Sequence, residues 1–290
     1  MKYRELGKTS FSVSEFGLGT AQLANTDNQH KGVKYVPLNE ALKIISIAIE
    51  GGINFFDTGA HYGNSESLFK KIKKTYKDKV FVATKAGMGN NSVRNFSTPA
   101  LREQIEGSLQ RMGLEYLDLL QISKPTTEDL KDGRLFAFLD KLKKEGKIKF
   151  SGVVVGETNT GFQCIESGKV DCLQIMYNML YQETEELIQR AYQKGLGVAI
   201  RSPLNNGLLT GTYTADQTFI PSDERAKYFS GPSFYLRLNI LHKIQEKLNI
   251  SNEDLIKYSL RFIISNPNIS TVIPGASEVN QAKNYIDIAK

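Results

Sequence analysis

Three polar residues in this 290-residue chain could act together in proton transfer. Asp57 and Lys85 lie near the ends of two apolar runs, residues 53–58 and 80–86, and Tyr62 follows Asp57 by five residues. A lysine in an apolar run needs a nearby anion to offset its desolvation, and Asp57 can supply one. An ammonium beside a phenol stabilises the phenolate, so such a phenol can protonate a carbonyl oxygen as hydride reaches the carbon. The same spacing also fits a structural ion pair.

The elements that must position these residues alternate between strands and helices. Eight apolar runs predict parallel strands that are covered on both faces. They are residues 14–19, 53–58, 80–86, 117–123, 151–156, 170–177, 197–204 and 270–275. Helical segments that stop at glycine, such as residues 38–50 and 128–145, separate the runs. This pattern predicts an α/β fold, a single (β/α)8 TIM barrel over residues 1–290. Residues 2–4 and 11–13 predict a small N-terminal β-hairpin that plugs the bottom.

In such a barrel, chemistry is expected at the carboxyl ends of the strands and in the loops after them. Residues 210–233 form the longest irregular stretch and are a candidate functional loop. Its aromatic residues Phe229 and Phe234, with Tyr235, fit either the lining of a substrate mouth or packing against a barrel helix. The lysine-rich run 70–79 fits a polyanion site or, more simply, a solvated helix face.

Composition excludes several classes of protein. Apolar residues make up 40% and charged residues 23% of the chain, and the net charge of +6 is too small to indicate a nucleic-acid partner. No run reaches the roughly 18 apolar residues of a membrane helix, and the N-terminus has no signal core. Cys164 and Cys172 are too few for a disulfide framework or a zinc site. We expect a cytoplasmic protein without metal, a monomer or small homo-oligomer, with Cys172 either a redox thiol or a core residue.

Four segments are similar to motifs of the aldo-keto reductases: residues 52–66, 82–85, 202–211 and 273–276. The resemblance runs from Gly17 to the end of the chain in the family's order. It implies a TIM barrel that uses NAD(P)H to reduce a small-molecule aldehyde or ketone, sugar-like carbonyls included. By the same resemblance Tyr62 is the general acid, Lys85 tunes it and Asp57 holds Lys85.

The resemblance also implies the residues that hold the cofactor. In the family's pattern Gln174 bonds the nicotinamide carboxamide, and Gln281 reaches the adenine. The full set of cofactor-binding positions is Gly19, Thr20, Gln174, Arg201, Ser202, Leu204, Gly207, Leu209, Gly211, Pro274, Gly275, Ser277 and Gln281.

The first departure from the pattern concerns the catalytic histidine, whose place is taken by Ser123. A serine hydroxyl can donate a hydrogen bond but reaches less far, so we expect it to act through a bridging water. We therefore count Ser123 among the catalytic residues and expect weaker carbonyl reduction.

Other departures lie at the cofactor. Val154 and Val155 stand where the family has a Ser-Asn pair, and Arg201 replaces an aromatic residue under the nicotinamide. Ser277 and Glu278 replace basic residues that favour the 2′-phosphate, so NADP(H) is implied by the resemblance and NAD(H) also becomes possible.

At the end of the chain, Tyr285 replaces the adenine-contacting Asn, and the sequence stops at Lys290 without the family's pocket-lining tail. Two alternatives to reduction stay open. One is a binding or regulatory protein with weak or no redox activity. The other is different chemistry, such as dehydration or epimerisation led by Tyr62.

Overall fold

The computed structural model describes residues 1–24, 35–89, 93–220, 223 and 225–290. Its strands are β1 (Tyr3–Glu5), β2 (Ser12–Ser14), β3 (Leu18–Gly19), β4 (Phe55–Asp57), β5 (Phe81–Ala86), β6 (Leu117–Ser123), β7 (Ile148–Val154), β8 (Cys172–Met176), β9 (Gly197–Arg201) and β10 (Thr271–Val272). Its α-helices are α1 (Leu38–Glu50), α2 (Ser65–Tyr76), α3 (Thr98–Met112), α4 (Thr127–Lys131), α5 (Arg134–Lys144), α6 (Thr158–Ser167), α7 (Glu185–Gln193), α8 (Arg225–Tyr228), α9 (Pro232–Leu248), α10 (Leu255–Ile264) and α11 (Val279–Ile288).

Strands β3 to β10 form one parallel sheet in chain order. The first and last of them meet through parallel bridges between Phe16 and Val272 and between Gly19 and Gly275. The sheet is therefore a barrel with its helices outside, and the predicted (β/α)8 architecture is confirmed. The main hydrophobic core lies between the strands and these helices.

The predicted N-terminal hairpin is present, shifted by about one residue. Strands β1 and β2 pair antiparallel, and Leu6, Phe11 and Val13 pack against Phe55 at the start of β4. Since Phe55 lies at the amino end of its strand, the hairpin covers the end of the barrel opposite to the carboxyl ends, where chemistry is expected.

One helix prediction was wrong. The segment 128–145 is not continuous but divides into α4 and α5. Gly133 adopts φ of +71°, a left-handed conformation that a helix interior does not allow, and the Asp132 carboxylate accepts a hydrogen bond from the backbone N–H of Arg134 at 2.9 Å. This turn ends one helix and starts the next.

The stretch 210–233 contains α8 and the start of α9 among its described residues. Phe229 and Phe234 are buried in a satellite cluster with Leu208 and Leu209, so these two aromatics pack instead of lining the mouth. Among the helices of the described residues, none has both the length and the apolar character needed to span a membrane.

Candidate active site

Asp57 and Lys85 form a buried ion pair at the carboxyl end of the barrel. Asp57 ends β4, and Lys85 is the penultimate residue of the neighbouring strand β5. Lys85 Nζ donates hydrogen bonds to Asp57 Oδ2 and to the backbone oxygen of Thr58, the latter at 2.8 Å. The Lys85 and Asp57 side chains are 3% and 5% exposed. Each charge is therefore cut off from bulk water and depends on the other for compensation.

Tyr62 lies in the turn after β4, where its backbone N–H donates to the oxygen of Gly59 at 2.9 Å. Lys85 Nζ is 4.7 Å from the centroid of the Tyr62 ring. Burial disfavours the ammonium, but the negative charge of Asp57, that of a Tyr62 phenolate and hydrogen bonds to both raise the pKa of Lys85 above its ordinary value. Lys85 is thus a cation beside the phenol at neutral pH, and the structure brings the three residues together.

The second oxygen of Asp57 is held by two buried amides. Gln174 Nε2 donates to Asp57 Oδ1 at 2.7 Å, and Gln121 Nε2 donates to the same oxygen at 3.0 Å. Gln174 is 2% exposed and Gln121 is fully buried. Both carboxylate oxygens of Asp57 are therefore fixed, one by the ammonium and one by the amides.

Ser123 ends β6, and its Cα pairs with that of Val154 on β7. The side chain is 3% exposed, and no described residue forms a hydrogen bond with its hydroxyl. Val154 and Val155 are buried apolar residues beside it. Ser123 therefore has a hydroxyl available to a water or a substrate, with apolar walls on the side of β7.

Arg201 ends β9 with one of its donors unpaired. Its Nη2 donates to the oxygen of Val155 at 3.0 Å, whereas the buried Nε has no partner among the described residues. Burial lowers the pKa of Arg201, although the charges of Tyr62 and two other tyrosines act in the opposite direction. A partly buried guanidinium whose buried Nε has no acceptor is a candidate ligand-binding group.

The loop after β9 has unusual backbone geometry. Positive φ angles occur at Ser202 (52°), Asn205 (46°), Asn206 (53°) and Gly207 (97°). Asn178 Nδ2 donates to the Ser202 oxygen at 3.1 Å and supports the turn. Successive residues in such conformations make concave surfaces of backbone N–H groups that bind anions. This loop carries the predicted positions Ser202, Leu204, Gly207, Leu209 and Gly211.

A second set of predicted positions follows β10. Tyr285 Oη donates to the oxygen of Gly275 at 2.8 Å, and a Cβ at Gly275 would come within 2.1 Å of Gln22 Oε1. That Gln22 oxygen is buried and has no hydrogen-bond partner among the described residues. Gln281 Oε1 accepts from the Ser277 backbone N–H at 2.8 Å, so it is engaged within the cap of α11.

In the described part of the chain, the cysteines and acidic residues form no metal centre. Cys164 and Cys172 are both buried, and Cys172 belongs to the apolar cluster beneath the N-terminal hairpin. Burial raises the pKa of Cys164 to about 12 and raises that of Cys172 as well. Within the described ranges, no group of three His, Cys, Asp or Glu residues could hold a metal ion. The core role proposed for Cys172 fits this placement better than a redox role.

Comparison with known proteins decides the family. A protein-family model, described as "Aldo/keto reductase family", matches residues 15–290 of the chain. The chain belongs to this family. The protein is therefore an NAD(P)-dependent oxidoreductase of the aldo-keto reductase type.

Two curated relatives match this aldo-keto reductase along nearly its whole length. The NADH-specific methylglyoxal reductase of Escherichia coli (strain K12) is 27% identical, with 99% of this chain and 93% of the relative covered. The L-galactose dehydrogenase of Arabidopsis thaliana is also 27% identical, covering 99% and 87%. An aldo-keto reductase structure from Bacillus halodurans superposes with a TM-score of 0.80 at 23% identity, with 100% of this chain and 91% of that one covered, and it supports the fold.

The polar groups at the carboxyl end of the barrel fit a nicotinamide dinucleotide. Arg201 Nε and Gln22 Oε1 are buried polar atoms without partners among the described residues, one a donor and one an acceptor. The loop of Ser202 to Gly207 has the positive φ angles found in concave anion-binding turns, and Gly275 lets the Gln22 side chain lie directly against the backbone. These features come from separate strands but lie at the same end of the aldo-keto reductase barrel.

Gln121 and Gln22 were not predicted from the sequence. Gln121 lies within the apolar strand β6, two residues before Ser123, so the alternation of a strand places both side chains on one face. A long polar side chain in the middle of a fully buried strand was the available indication. Gln22 follows Thr20 in a short 3₁₀ helix, Ala21–Leu23, and no pattern distinguished it from other polar loop residues.

Proposed function

We propose that this aldo-keto reductase reduces a small-molecule aldehyde or ketone to the alcohol, with Tyr62 as the proton donor. The observation that carries the proposal is the position of Lys85 Nζ, bonded to Asp57 and 4.7 Å from the Tyr62 ring centroid. A structural ion pair needs no phenol beside its cation. A phenol that donates its proton to a developing alkoxide does need a cation beside it, because the ammonium stabilises the phenolate that remains.

The residues of the chain then have distinct tasks. Tyr62 Oη gives its proton to the carbonyl oxygen, and Lys85 stabilises the negative charge left on the phenol. Asp57 keeps Lys85 charged and in place through their hydrogen bond. When bound, the reduced nicotinamide supplies the hydride that adds to the carbonyl carbon. Arg201 and the loop from Ser202 onward hold the cofactor.

Ser123 completes the site as a second donor to the carbonyl oxygen. Its hydroxyl has no partner among the described residues, and a water between it and the substrate would transmit the hydrogen bond. Removal of a direct donor from such a site costs about 10²–10³ in rate, so a water-mediated donor should recover only part of that. We therefore propose a reductase with modest turnover.

For the cofactor, we propose that NADH is used at least as well as NADPH. Glu278 is exposed at the N-cap of α11, next to Ser277, where a 2′-phosphate would be expected from the family's pattern. A carboxylate repels that phosphate, and the missing basic residue removes a charge-assisted hydrogen bond. The relative from Escherichia coli that is named as NADH-specific is in keeping with this proposal.

For the substrate, we propose small polar carbonyl compounds such as 2-oxoaldehydes and sugar-like aldehydes. The names of two relatives, a methylglyoxal reductase and an L-galactose dehydrogenase, support this range. We also propose that the chain works as one barrel domain in the cytoplasm, as a monomer or small homo-oligomer.

The test is a turnover assay with matched variants. The purified protein is incubated with NADH or NADPH and with methylglyoxal, glyceraldehyde or a sugar aldehyde, and loss of the reduced cofactor is followed. Tyr62→Phe should abolish turnover while the affinity for NADH, measured by fluorescence titration, stays within about twofold, because Phe keeps the ring and loses only the hydroxyl group that carries the proton. Unchanged turnover in this variant would refute the role of Tyr62.

A further inference from the structure

We propose that Gln121 is a positioning residue of this active site, one that fixes the Asp57 carboxylate and the orientation of the Gln174 amide. The inference rests on the proposed carbonyl reduction and adds a residue to it. Gln121 forms no hydrogen bond with Lys85 or Tyr62. It therefore acts through its two hydrogen-bond partners, Asp57 and Gln174.

The position of Gln121 places it inside the barrel, level with the ion pair. Its Cα is the register partner of Lys85 across β5 and β6. Its neighbours along the strand, Leu120 and Ile122, belong to the core between the strands and the outer helices. Because side chains alternate along a strand, Gln121 points to the opposite face, toward the barrel interior.

The hydrogen bonds of Gln121 determine what it can hold. Its Nε2 donates to Asp57 Oδ1 at 3.0 Å, and its Oε1 accepts from Gln174 Nε2 at 3.2 Å. Asp57 Oδ2 is bonded to Lys85 at the same time. Rotation of the carboxylate would break bonds on both of its oxygens, so Asp57 has one favoured orientation and Lys85 keeps its place beside the Tyr62 ring.

The same contacts set the direction of the Gln174 amide. Gln174 Nε2 faces both Asp57 Oδ1 and Gln121 Oε1, which accept but cannot donate in these contacts. No described residue donates to Gln174 Oε1. A flipped amide would place two acceptors against each other at each contact. Gln121 therefore makes Gln174 present its oxygen to a ligand, an acceptor suited to the N–H of a carboxamide.

A merely structural role is the alternative, and it predicts different results. A fully buried amide is unfavourable unless its hydrogen bonds are satisfied, and an apolar side chain of the same length would fill this place without that cost. A structural role would change stability alone. A positioning role changes cofactor affinity and the pH dependence of turnover as well.

The test compares Gln121→Met and Gln121→Glu with the unaltered protein. Gln121→Met keeps the volume and removes both hydrogen bonds. We expect its Kd for NADH to rise by about three- to tenfold and its kcat to fall by about tenfold, with the thermal midpoint near that of the unaltered protein, since the lost hydrogen bond to the charged Asp57 carries an effect of this order. Gln163→Met, on α6 outside the barrel, is the matched control, because Gln163 also has a buried amide oxygen and lies outside this network.

Gln121→Glu provides a readout that packing does not move. The new carboxyl group is uncharged at low pH and can donate to Asp57, whereas its ionised form lies against a second carboxylate. At the acid end of the pH profile, we expect kcat of this variant to be near that of the unaltered protein. As pH rises, kcat of the variant should fall at a pH at least about one unit lower than in the unaltered protein. A pH profile parallel to that of the unaltered protein in this variant, together with an unchanged Kd in Gln121→Met, overturns the inference.

Failure of the proposed function gives a different result. If the unaltered protein binds NADH without reducing any carbonyl, and Gln121→Met still weakens that binding, the positioning of Gln174 stands and carbonyl reduction falls. If the unaltered protein binds neither NADH nor NADPH, both proposals are overturned.

Discussion

Lys85 Nζ is bonded to Asp57 Oδ2 and at the same time lies 4.7 Å from the centroid of the Tyr62 ring. One ammonium group thus neutralises the buried Asp57 carboxylate and lies beside the phenol that is proposed to donate a proton. The pKa of Lys85 is raised because the charges and hydrogen bonds of its two partners outweigh its desolvation. Stability and catalysis depend on the same pair, and they can be separated by mutation.

The Lys85→Met substitution should lower both the turnover and the stability of the protein. Turnover should fall by about 10²-fold or more, because the phenolate loses its stabilising charge. The free energy of unfolding, measured in urea, should fall by about 3–5 kcal/mol, because Asp57 is left as a buried charge without its counterion. Steady-state kinetics and urea titrations at neutral pH measure the two losses separately.

The double variant Lys85→Met with Asp57→Asn is the control. It removes both charges, so most of the lost stability should return while turnover stays low. The raised pKa of Lys85 means that the pair contributes stability below its ordinary pKa of 10.5 and that this contribution is lost as pH rises through the folded value. The unaltered protein should therefore lose stability more steeply than the double variant in that alkaline range. Parallel curves would contradict an energetic role for the pair.

The barrel could be predicted from local patterns in the sequence, whereas Asp57, Lys85 and Tyr62 were singled out by the resemblance to the aldo-keto reductases. Each strand is a short apolar run, and Asp57, Lys85 and Tyr62 lie at fixed distances from the ends of two such runs. The break between α4 and α5 depends on one left-handed glycine, Gly133, whose conformation a helical pattern does not reveal. Such single-residue effects are decided by backbone geometry and not by periodicity.

The contact between Gln174 and Asp57 could not be predicted from the spacing of residues in the sequence. The bond from Gln174 to Asp57 joins residues 117 positions apart, and no spacing rule selects it. Phe229 and Phe234 fitted either the mouth or the core, because a long loop has no period that assigns its apolar residues to one side. Their burial against Leu208 and Leu209 follows only from the three-dimensional path of that loop.

Ser123→His should increase turnover. An imidazole reaches farther than a hydroxyl and can donate directly to the carbonyl oxygen, so we expect kcat to rise by about tenfold or more. The valine side of the pocket, at Val154, sets the space available to the larger ring. Ser123→Ala is the companion variant and should lower kcat. If Ser123→Ala is as active as the unaltered protein, the serine is not a donor in this reaction.

Neither cysteine should react in the folded protein. Burial raises the pKa of Cys164 to about 12 and raises the pKa of Cys172 too, so the reactive thiolate of either residue is scarce at pH 8. A disulfide reagent that reacts with thiols should label almost no cysteine in the folded protein and two cysteines per chain in guanidinium chloride. Rapid native labelling of Cys172 with loss of activity would restore the redox interpretation for that residue.

Cofactor choice should respond to charge at the start of α11. Glu278→Arg replaces a repelling carboxylate by a donor to phosphate, so the Kd for NADPH should fall by about ten- to hundredfold while that for NADH changes by less than about threefold. Glu166→Arg, an equal charge change at an exposed position of α6, is the control for long-range electrostatics. Fluorescence titration at two salt concentrations measures each constant. An equal gain for both cofactors, or the same gain in Glu166→Arg, would show that the 2′-phosphate is not bound near Glu278.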